Sequence, residues 1–451
     1  MERSHSKLFQ PHSVPRLQTA WNFAQLGFAV FPLLPSLGAI AIFVALVETW
    51  RRKRQIVQRR LRRFAVLALW LAISAVFAHD RLAAVLGLFN FLPFFCFFAA
   101  FSTLIQTPAQ LWRLAEILVL TSIPVIVLGY GQLVFGWSTP DALAGVFGWQ
   151  LVAYGNPPGR MASVFMYANV LAAYSVIVSI MAFGLWIQAL SLKRIWVRLD
   201  NATFFPINPN TELLLLSLAV VGNFGALILT NSRNAWMIAV FACLAFAIYH
   251  GWRWLVAAVA AIAGTIVLAA FAPAPLNQVL RTVVPTFFWA RLTDQLYPDR
   301  PTALLRTTQW RFAWSLTQQR PITGWGLRNF TPLYENQMGI WLGHPHNLFL
   351  MLSAEIGLVG TALFCFWVGA ILYQSIQILG NTSSKRFMTL QTNQDKTIFF
   401  SYLVAFIACI LFNTVDVTIF DLRINTLGWL LLAAIYGVTA RQQRLGAASS
   451  D

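Results

Sequence analysis

The chain has 451 residues, of which 58% are hydrophobic and only 10% charged, and its mean hydropathy is +0.65. Soluble domains carry about 25% charged residues, so this composition excludes a soluble globular enzyme, a disordered chain and a nucleic-acid-binding domain. The formal net charge of +17 is explained by membrane topology, because the basic residues lie between long apolar runs. An all-α integral membrane protein is therefore predicted.

The apolar runs predict about twelve membrane-spanning helices, since each crossing needs about 20 mostly apolar residues. The predicted spans lie at 17–33, 36–49, 64–79, 82–101, 114–135, 164–187, 212–231, 234–250, 254–272, 347–376, 398–416 and 422–439. The four cysteines all fall inside these runs and form no CxxC pair, so neither a disulfide framework nor a zinc site is predicted.

The first two runs allow two interpretations. Residues 21–49 form either one span or a hairpin that turns at Pro32 and Pro35, since proline interrupts a helix. The basic run at 51–63 and the N-terminal tail both belong on the cytoplasmic side by the positive-inside rule. Only two crossings satisfy both, so the hairpin is favoured and both termini are predicted to be cytoplasmic.

This topology divides the chain into five parts. They are a cytoplasmic tail at 1–20, a first bundle of about nine spans at 21–272, a large periplasmic loop at 273–346, three final spans at 347–440 and a cytoplasmic tail at 441–451. The protein is accordingly expected to be a multi-pass protein surrounded by membrane lipid.

The long loop at 273–346 contains seven arginines, among them Arg306, Arg311 and Arg328. Guanidinium groups bind phosphates in a bidentate manner, so this cluster indicates an anion-binding site. Residues 302–318 are predicted to form a helix in the membrane interface, ending before Pro321. Gly324-Trp325-Gly326 then predicts a tight turn.

Two histidines, His344 and His346, stand directly before the tenth span. Pro345 at the start of that helix would place His346 in its first turn, where the helix dipole favours anions and disfavours a charged imidazole. A neutral His346 would accept a proton. Which of the two histidines acts as the base stays open.

Four more polar residues lie at predicted helix ends or inside a span. Arg160 precedes the sixth span, with Asn169 about two turns further on, and Arg233 lies in the short turn between spans seven and eight. Glu355 lies about two turns into the tenth span, where a carboxylate is costly in lipid, so it is expected to face the bundle and pair with a donor.

Several segments together resemble the O-antigen ligase and O-antigen polymerase family of polytopic bacterial membrane glycosyltransferases. They are Arg306-x-x-x-Trp310, the run Arg320-Pro321-Ile322-Thr323-Gly324-Trp325-Gly326-Leu327-Arg328-Asn329-Phe330, His346-Asn347-Leu348-Phe349-Leu350, Ala354-Glu355-Ile356-Gly357-Leu358-Val359-Gly360, Ser232-Arg233-Asn234-Ala235-Trp236, and Arg160 followed by Asn169. Asn234 stands where the family more often has glycine, and His344 has no family counterpart.

The resemblance implies that a glycan moves from an undecaprenyl-diphosphate carrier to a sugar hydroxyl on a glycolipid or growing polysaccharide, without a metal or other cofactor. It also implies that this happens at the periplasmic face of the bacterial inner (plasma) membrane. It implies that His346 is the base and that Arg160, Arg233 and Arg306 hold the diphosphate. The residues expected to support them are His344, Asn347, Glu355, Arg311 and Arg328.

The chemistry of the residues favours the same activity. Diphosphate is a good leaving group that needs stabilisation of charge, which arginines supply, and a neutral histidine activates a hydroxyl. The outer acids, including Asp416, are scattered and suggest no glycosidase pair. Ligase and polymerase stay undistinguished. The alternatives are a transporter of bicarbonate or another inorganic anion, and a non-catalytic scaffold for envelope assembly.

Overall fold

The computed structural model describes residues 9–195, 209–293, 301–380, 390 and 392–448. Within these ranges the regular structure is helical and contains no strand. This agrees with the predicted all-α fold. Residues 1–8 of the predicted N-terminal tail and residues 449–451 of the C-terminal tail lie outside the described residues.

Nine α-helices precede the first internal gap in the description. They are α1 (Gln18–Val30), α2 (Pro35–Arg52), α3 (Arg54–Leu61), α4 (Ala65–Val76), α5 (Arg81–Leu88), α6 (Leu92–Leu104), α7 (Pro108–Phe135), α8 (Asp141–Phe147) and α9 (Ala168–Ile195).

Ten further α-helices follow. They are α10 (Pro209–Leu229), α11 (Arg233–Tyr249), α12 (Arg253–Phe271), α13 (Leu276–Val283), α14 (Thr286–Leu292), α15 (Arg306–Gln319), α16 (Phe330–Met338), α17 (Leu348–Gly380), α18 (Asn393–Asn413) and α19 (Leu422–Ala448).

Eight helical segments of the described chain are long and apolar enough to cross a membrane. They are Arg81–Leu104, Pro108–Phe135, Ala168–Leu190, Asn210–Leu229, Arg253–Phe271, Leu348–Gly380, Asn393–Asn413 and Leu422–Leu445. Helix α11 is apolar but shorter. The protein is therefore a multi-pass membrane protein, while the count of twelve spans and the cytoplasmic position of the termini remain predictions.

The first two helices pack against each other as a pair. The chain leaves the helical conformation at 31–34, beside Pro32, and α2 begins at Pro35. A side chain at Gly38 would come within 2.5 Å of the backbone of Phe31, and one at Gly27 would meet Ile42 at 2.7 Å. The small residues thus allow α1 and α2 to approach closely next to the turn, as a helical hairpin requires.

Helix α17 is not continuous, although the sequence predicted an uninterrupted span at 347–376. Gly357 has φ 73° and ψ 172°, which breaks the helical hydrogen-bond ladder. The turn at 321–326 supplies the missing partners. Trp325 and Gly326 donate their N–H groups to the carbonyls of Ala354 and Glu355, at 2.9 and 2.7 Å, and Leu358 donates to the carbonyl of Pro321 at 2.8 Å.

Helix α4 also forms hydrogen bonds to the turn at 321–326 and to the broken segment of α17. The Ser74 hydroxyl lies 2.8 Å from the Thr323 carbonyl and 3.1 Å from that of Glu355, and the Trp70 indole donates to the Ile356 carbonyl at 3.0 Å. Non-helical backbone at membrane depth is tolerated only where protein surrounds and satisfies it. Gly357 is buried, so this condition is met.

Helices α15 and α16 form a small hydrophobic core with the start of α17, made of Phe312, Ala313, Leu316, Phe330, Tyr334 and Ala354. Helix α15 ends at Gln319, ahead of Pro321 as predicted, but its α-helical part begins at Arg306 rather than 302. Trp314 is exposed, whereas the Trp310 indole donates to the Pro345 carbonyl at 3.0 Å. This bond connects α15 to the segment that carries the two histidines.

Replacing Gly357 by alanine is expected to destabilise the protein. The new Cβ would lie 1.8 Å from the Ile322 carbonyl oxygen in a backbone conformation that L residues rarely adopt, a strain that alone costs about 1–3 kcal/mol. Thermal unfolding in detergent should show a clearly lower midpoint. Gly369→Ala, in the same helix and with nothing within 4 Å of its Cβ position, is the matched control. An equal effect of both substitutions would contradict this account.

Candidate functional site

His346 lies outside the helix rather than in its first turn, which corrects the placement predicted from Pro345. Helix α17 begins at Leu348, and the Asn347 side-chain oxygen accepts the Leu350 N–H at 3.0 Å. Asparagine is a strong N-cap residue and so determines where the helix begins. His346 itself has φ 52°, and the Asn347 amide donates to the Thr414 carbonyl at 2.9 Å.

The His346 ring contacts a buried carboxylate. Its Nδ1 lies 3.0 Å from Oδ1 of Asp416, in the turn between α18 and α19, and Asp416 is only 5% exposed. An imidazole that donates Nδ1–H to a carboxylate carries its lone pair on Nε2. Nε2 of His346 has no hydrogen-bond partner among the described residues, so this arrangement suits proton acceptance.

Hydrogen bonds connect Asp416 to Arg160. The Asn169 amide donates to the second carboxylate oxygen of Asp416 at 2.8 Å, and its own oxygen accepts from the Arg160 guanidinium at 2.6 Å. Asp416, Asn169 and Arg160 therefore form one polar chain with His346 at its end. Residues from three distant parts of the sequence meet in it.

Arg160 also reaches the turn that carries Arg233. Its Nε donates to the Thr230 carbonyl at 2.8 Å, and the Met161 N–H donates to the Leu229 carbonyl at 2.9 Å. Helix α11 begins three residues after Thr230, at Arg233. The two arginines thus lie at the same end of the bundle.

His344 packs beside His346, with ring centroids 4.6 Å apart, and its Nε2 lies 3.7 Å from Oδ1 of Asp416. Burial lowers the pKa of His344 to about 4; Arg306, and His346 when it is protonated, act in the same direction, although Asp416 opposes them. His344 is therefore neutral at physiological pH. The influence of Arg306 also indicates that the start of α15 lies close to the histidines.

Asp416 stays ionised in this environment. Burial alone would raise its pKa, but the hydrogen bond from His346, the attraction of either histidine when it is protonated and the Val417 N–H at 2.9 Å outweigh burial. The pKa of Asp416 consequently lies below its ordinary value. An ionised carboxylate holds the His346 ring in one orientation and stabilises the positive charge that forms when the ring takes a proton.

The remaining predicted residues lie around this cluster or apart from it. The Arg328 guanidinium is 5.9 Å from the Phe420 ring, on which His344 also stacks, so Arg328 borders the site. Arg311 is exposed on α15 and makes no hydrogen bond or ion pair with the described residues. Glu355 is buried and accepts the Phe330 N–H at 3.3 Å, so it connects the first residue of α16 to α17.

The contact of Asp416 with His346 was not predicted from the sequence, where Asp416 was counted among the scattered outer acids. A signal was nevertheless present. The chain leaves the histidine face through the tenth predicted span and returns through the eleventh, so the turn at 414–421 comes back to that face. What the sequence did not contain was the distance between the ring and the carboxylate.

His344, His346 and Asp416 also offer the ligand atoms of a metal site, since their donor atoms all lie within 4.8 Å of one another. Two imidazoles and a carboxylate are ligands that zinc and related divalent ions accept. The metal independence of the mechanism therefore remains a prediction, because these three residues could hold a divalent ion.

Comparison with known proteins supports the resemblance. Residues 218–365 match the O-antigen ligase family model, a range that includes Arg233, Arg306 and both histidines but not Arg160 or Asp416. A curated relative from Rickettsia bellii (strain RML369-C), "Putative polysaccharide ligase", is 27% identical over 106 residues, covering 21% of this chain and 25% of the relative. The match thus spans about a quarter of that relative. The predicted resemblance to the O-antigen ligase family is confirmed.

Because the pKa of His344 is lowered, the free energy of unfolding is predicted to decrease as the pH is lowered from about 6.5 to about 4. In this window the unfolded chain binds a proton at His344 and the folded chain does not, at a cost on the order of 3 kcal/mol over the whole window. Unfolding midpoints of the wild type and of His344→Gln, measured across this range, test it. The variant should show the shallower dependence, and identical slopes would contradict the assignment.

Proposed function

From the O-antigen ligase domain at residues 218–365, we propose that this protein is a membrane glycosyltransferase of polysaccharide assembly. It transfers a glycan from an undecaprenyl-diphosphate carrier to a sugar hydroxyl at the periplasmic face of the inner membrane. The observation that carries the proposal is the polar chain from His346 through Asp416 and Asn169 to Arg160. It joins a base to a phosphate-binding cation.

His346 is the base in this proposal. Nε2 takes the proton of the acceptor hydroxyl, and the oxygen of that hydroxyl forms a bond to the anomeric carbon of the donor glycan. The bond from that carbon to the diphosphate oxygen breaks, and its electron pair leaves with the diphosphate. General base catalysis of this kind contributes about 10²–10⁴-fold, and Asp416 supports it by fixing the ring and stabilising the imidazolium.

Arg160, Arg233 and Arg306 stabilise the charge on the departing diphosphate. Preorganised cations aimed at developing negative charge are effective because they need not reorganise during the reaction. Arg160 meets this requirement, since the Thr230 carbonyl and the Asn169 side chain fix its guanidinium. Arg233 and Arg306 are the first residues of α11 and α15. His344, Asn347 and Arg328 shape the surroundings of the base.

The same chemistry serves a ligase, whose acceptor is a glycolipid, and a polymerase, whose acceptor is a growing polysaccharide. An anion transporter would use the arginines without needing an oriented base. The hydrogen bond between His346 and Asp416 therefore favours group transfer over transport. A scaffold needs neither the base nor the arginines.

His346→Ala is expected to reduce glycan transfer by about 10²–10⁴-fold. Asp416→Asn should cause a loss of similar order, because an asparagine amide can donate to Nδ1 and so favour the wrong tautomer of the ring. Transfer from a lipid-diphosphate donor, measured in proteoliposomes at equal protein, tests both. His79→Ala, an exposed ring outside the polar chain, is the control and should stay within about twofold of the wild type.

Three results would separate the alternatives. Retained transfer in both variants would refute the catalytic assignment. Loss of bicarbonate uptake by Arg233→Ala, with no transfer activity in the wild type, would establish the transporter. Normal envelope assembly with His346→Ala would favour the scaffold.

Exhaustive treatment with a chelator is expected to leave the transfer rate within about twofold, since the arginines supply the positive charge at the diphosphate. Added Zn²⁺ should instead inhibit, because it would occupy the nitrogen and carboxylate donors of His344, His346 and Asp416. A loss of activity on chelation that Zn²⁺ or Mn²⁺ restores would overturn the metal-independent mechanism.

A further inference from the structure

A cavity of about 470 Å³ lies outside the candidate catalytic site, where α4 ends and the 320–323 segment passes it. Its walls combine apolar and cationic side chains, including Val76, Phe77, Pro321, Ile322, Arg81 and Arg320. None of these six belongs to the polar chain around His346. The combination of two guanidinium groups with apolar walls distinguishes this cavity from a gap in packing.

The positive charge of the cavity is not neutralised by the described residues. Arg81 is exposed and has no hydrogen-bond or ion-pair partner among them, and Arg320 donates only to the Phe77 carbonyl, at 3.1 Å, while stacking 4.0 Å from the Trp325 ring centroid. The nearby Asp80 carboxylate caps α5 by accepting the Ala83 N–H at 3.0 Å. Two cations thus face one open space.

A row of exposed apolar side chains extends from the cavity along α4. Val66, Leu69 and Val76 on this helix and Phe77 directly after it are each at least 60% exposed, and Ile322 beside the cavity is 61% exposed. The sequence predicts α4 to be part of the membrane span at 64–79, and exposed apolar side chains on such a span contact acyl chains. A ligand that is anionic at one end and apolar along its length matches both features.

We propose that this cavity binds the phosphate of an anionic phospholipid, with its acyl chains lying along α4. Arg81 and Arg320 make charge-assisted hydrogen bonds to the phosphate, which are stronger than neutral ones. A zwitterionic lipid fits less well, because its ammonium group would meet the same two cations.

Binding at this position also bears on α17. The segment that lines the cavity includes Pro321, whose carbonyl accepts the Leu358 N–H across the helix break, and Thr323, whose carbonyl accepts the Ser74 hydroxyl. A bound headgroup therefore stabilises the inserted turn.

Native mass spectrometry of the full chain tests the proposal by counting the lipids retained after reconstitution in phosphatidylglycerol or in phosphatidylcholine. Retention should be selective for phosphatidylglycerol. Arg81→Gln should weaken retention about tenfold, as expected for the loss of one charge-assisted hydrogen bond, and Arg81→Lys should keep most of it. Arg311→Gln is the matched control, an exposed arginine outside the cavity, and should retain lipid as the wild type does.

Equal retention of both lipids by the unaltered chain would overturn the proposal, as would wild-type retention by Arg81→Gln. Displacement of the lipid by millimolar inorganic phosphate would identify a free-anion site and would also overturn it. The comparison of the two lipids on the unaltered chain decides the question even where a variant folds poorly. None of these readouts depends on glycan transfer.

Discussion

The arrangement of this protein depends on one exchange of hydrogen bonds at the break in α17. Gly357 frees the carbonyls of Ala354 and Glu355 and the N–H of Leu358, and the turn at 321–326 satisfies all three. An unsatisfied backbone group in this environment costs several kcal/mol, so helix and turn stabilise each other or neither forms. Through this exchange a loop outside the bundle becomes rigidly attached to a spanning helix.

The candidate site inherits its geometry from that attachment. The fixed turn leads into α16, whose first N–H bonds to buried Glu355, and α15 packs on the same small core. Trp310 on α15 then holds the Pro345 carbonyl next to His346. The ring is thus positioned from one side by the loop and from the other by Asp416. A loop attached only at its two ends would leave the distance between arginine and histidine variable.

Much of this could be read from the sequence, because membrane solvation leaves clear patterns. The apolar runs located the helices, Pro32 and Pro35 marked the turn of the first hairpin, and Pro321 marked the limit of α15. The motifs around Arg233 and His346 indicated a resemblance to the O-antigen ligase family, which the match of residues 218–365 to its family model supports. Composition cannot reveal the break at Gly357, since a glycine in an apolar run is common in membrane helices. The pairing of His346 with Asp416 depends on tertiary contact across 70 residues. The start of α17 was misplaced because Asn347 rather than Pro345 provides the cap.

The origin of Asp416 has a consequence for biogenesis. The carboxylate that orients the ring lies in the turn between α18 and α19, 70 residues after His346 in the order of synthesis. Arg160, Arg233 and His346 are all synthesised and inserted before it. Until the hairpin of α18 and α19 enters the bilayer, the imidazole lacks its contact with Asp416. A nascent chain, or one terminated before Asp416, would thus hold Arg160, Arg233 and the His346 ring without the carboxylate that orients this ring, so the site would be completed only when this hairpin is inserted.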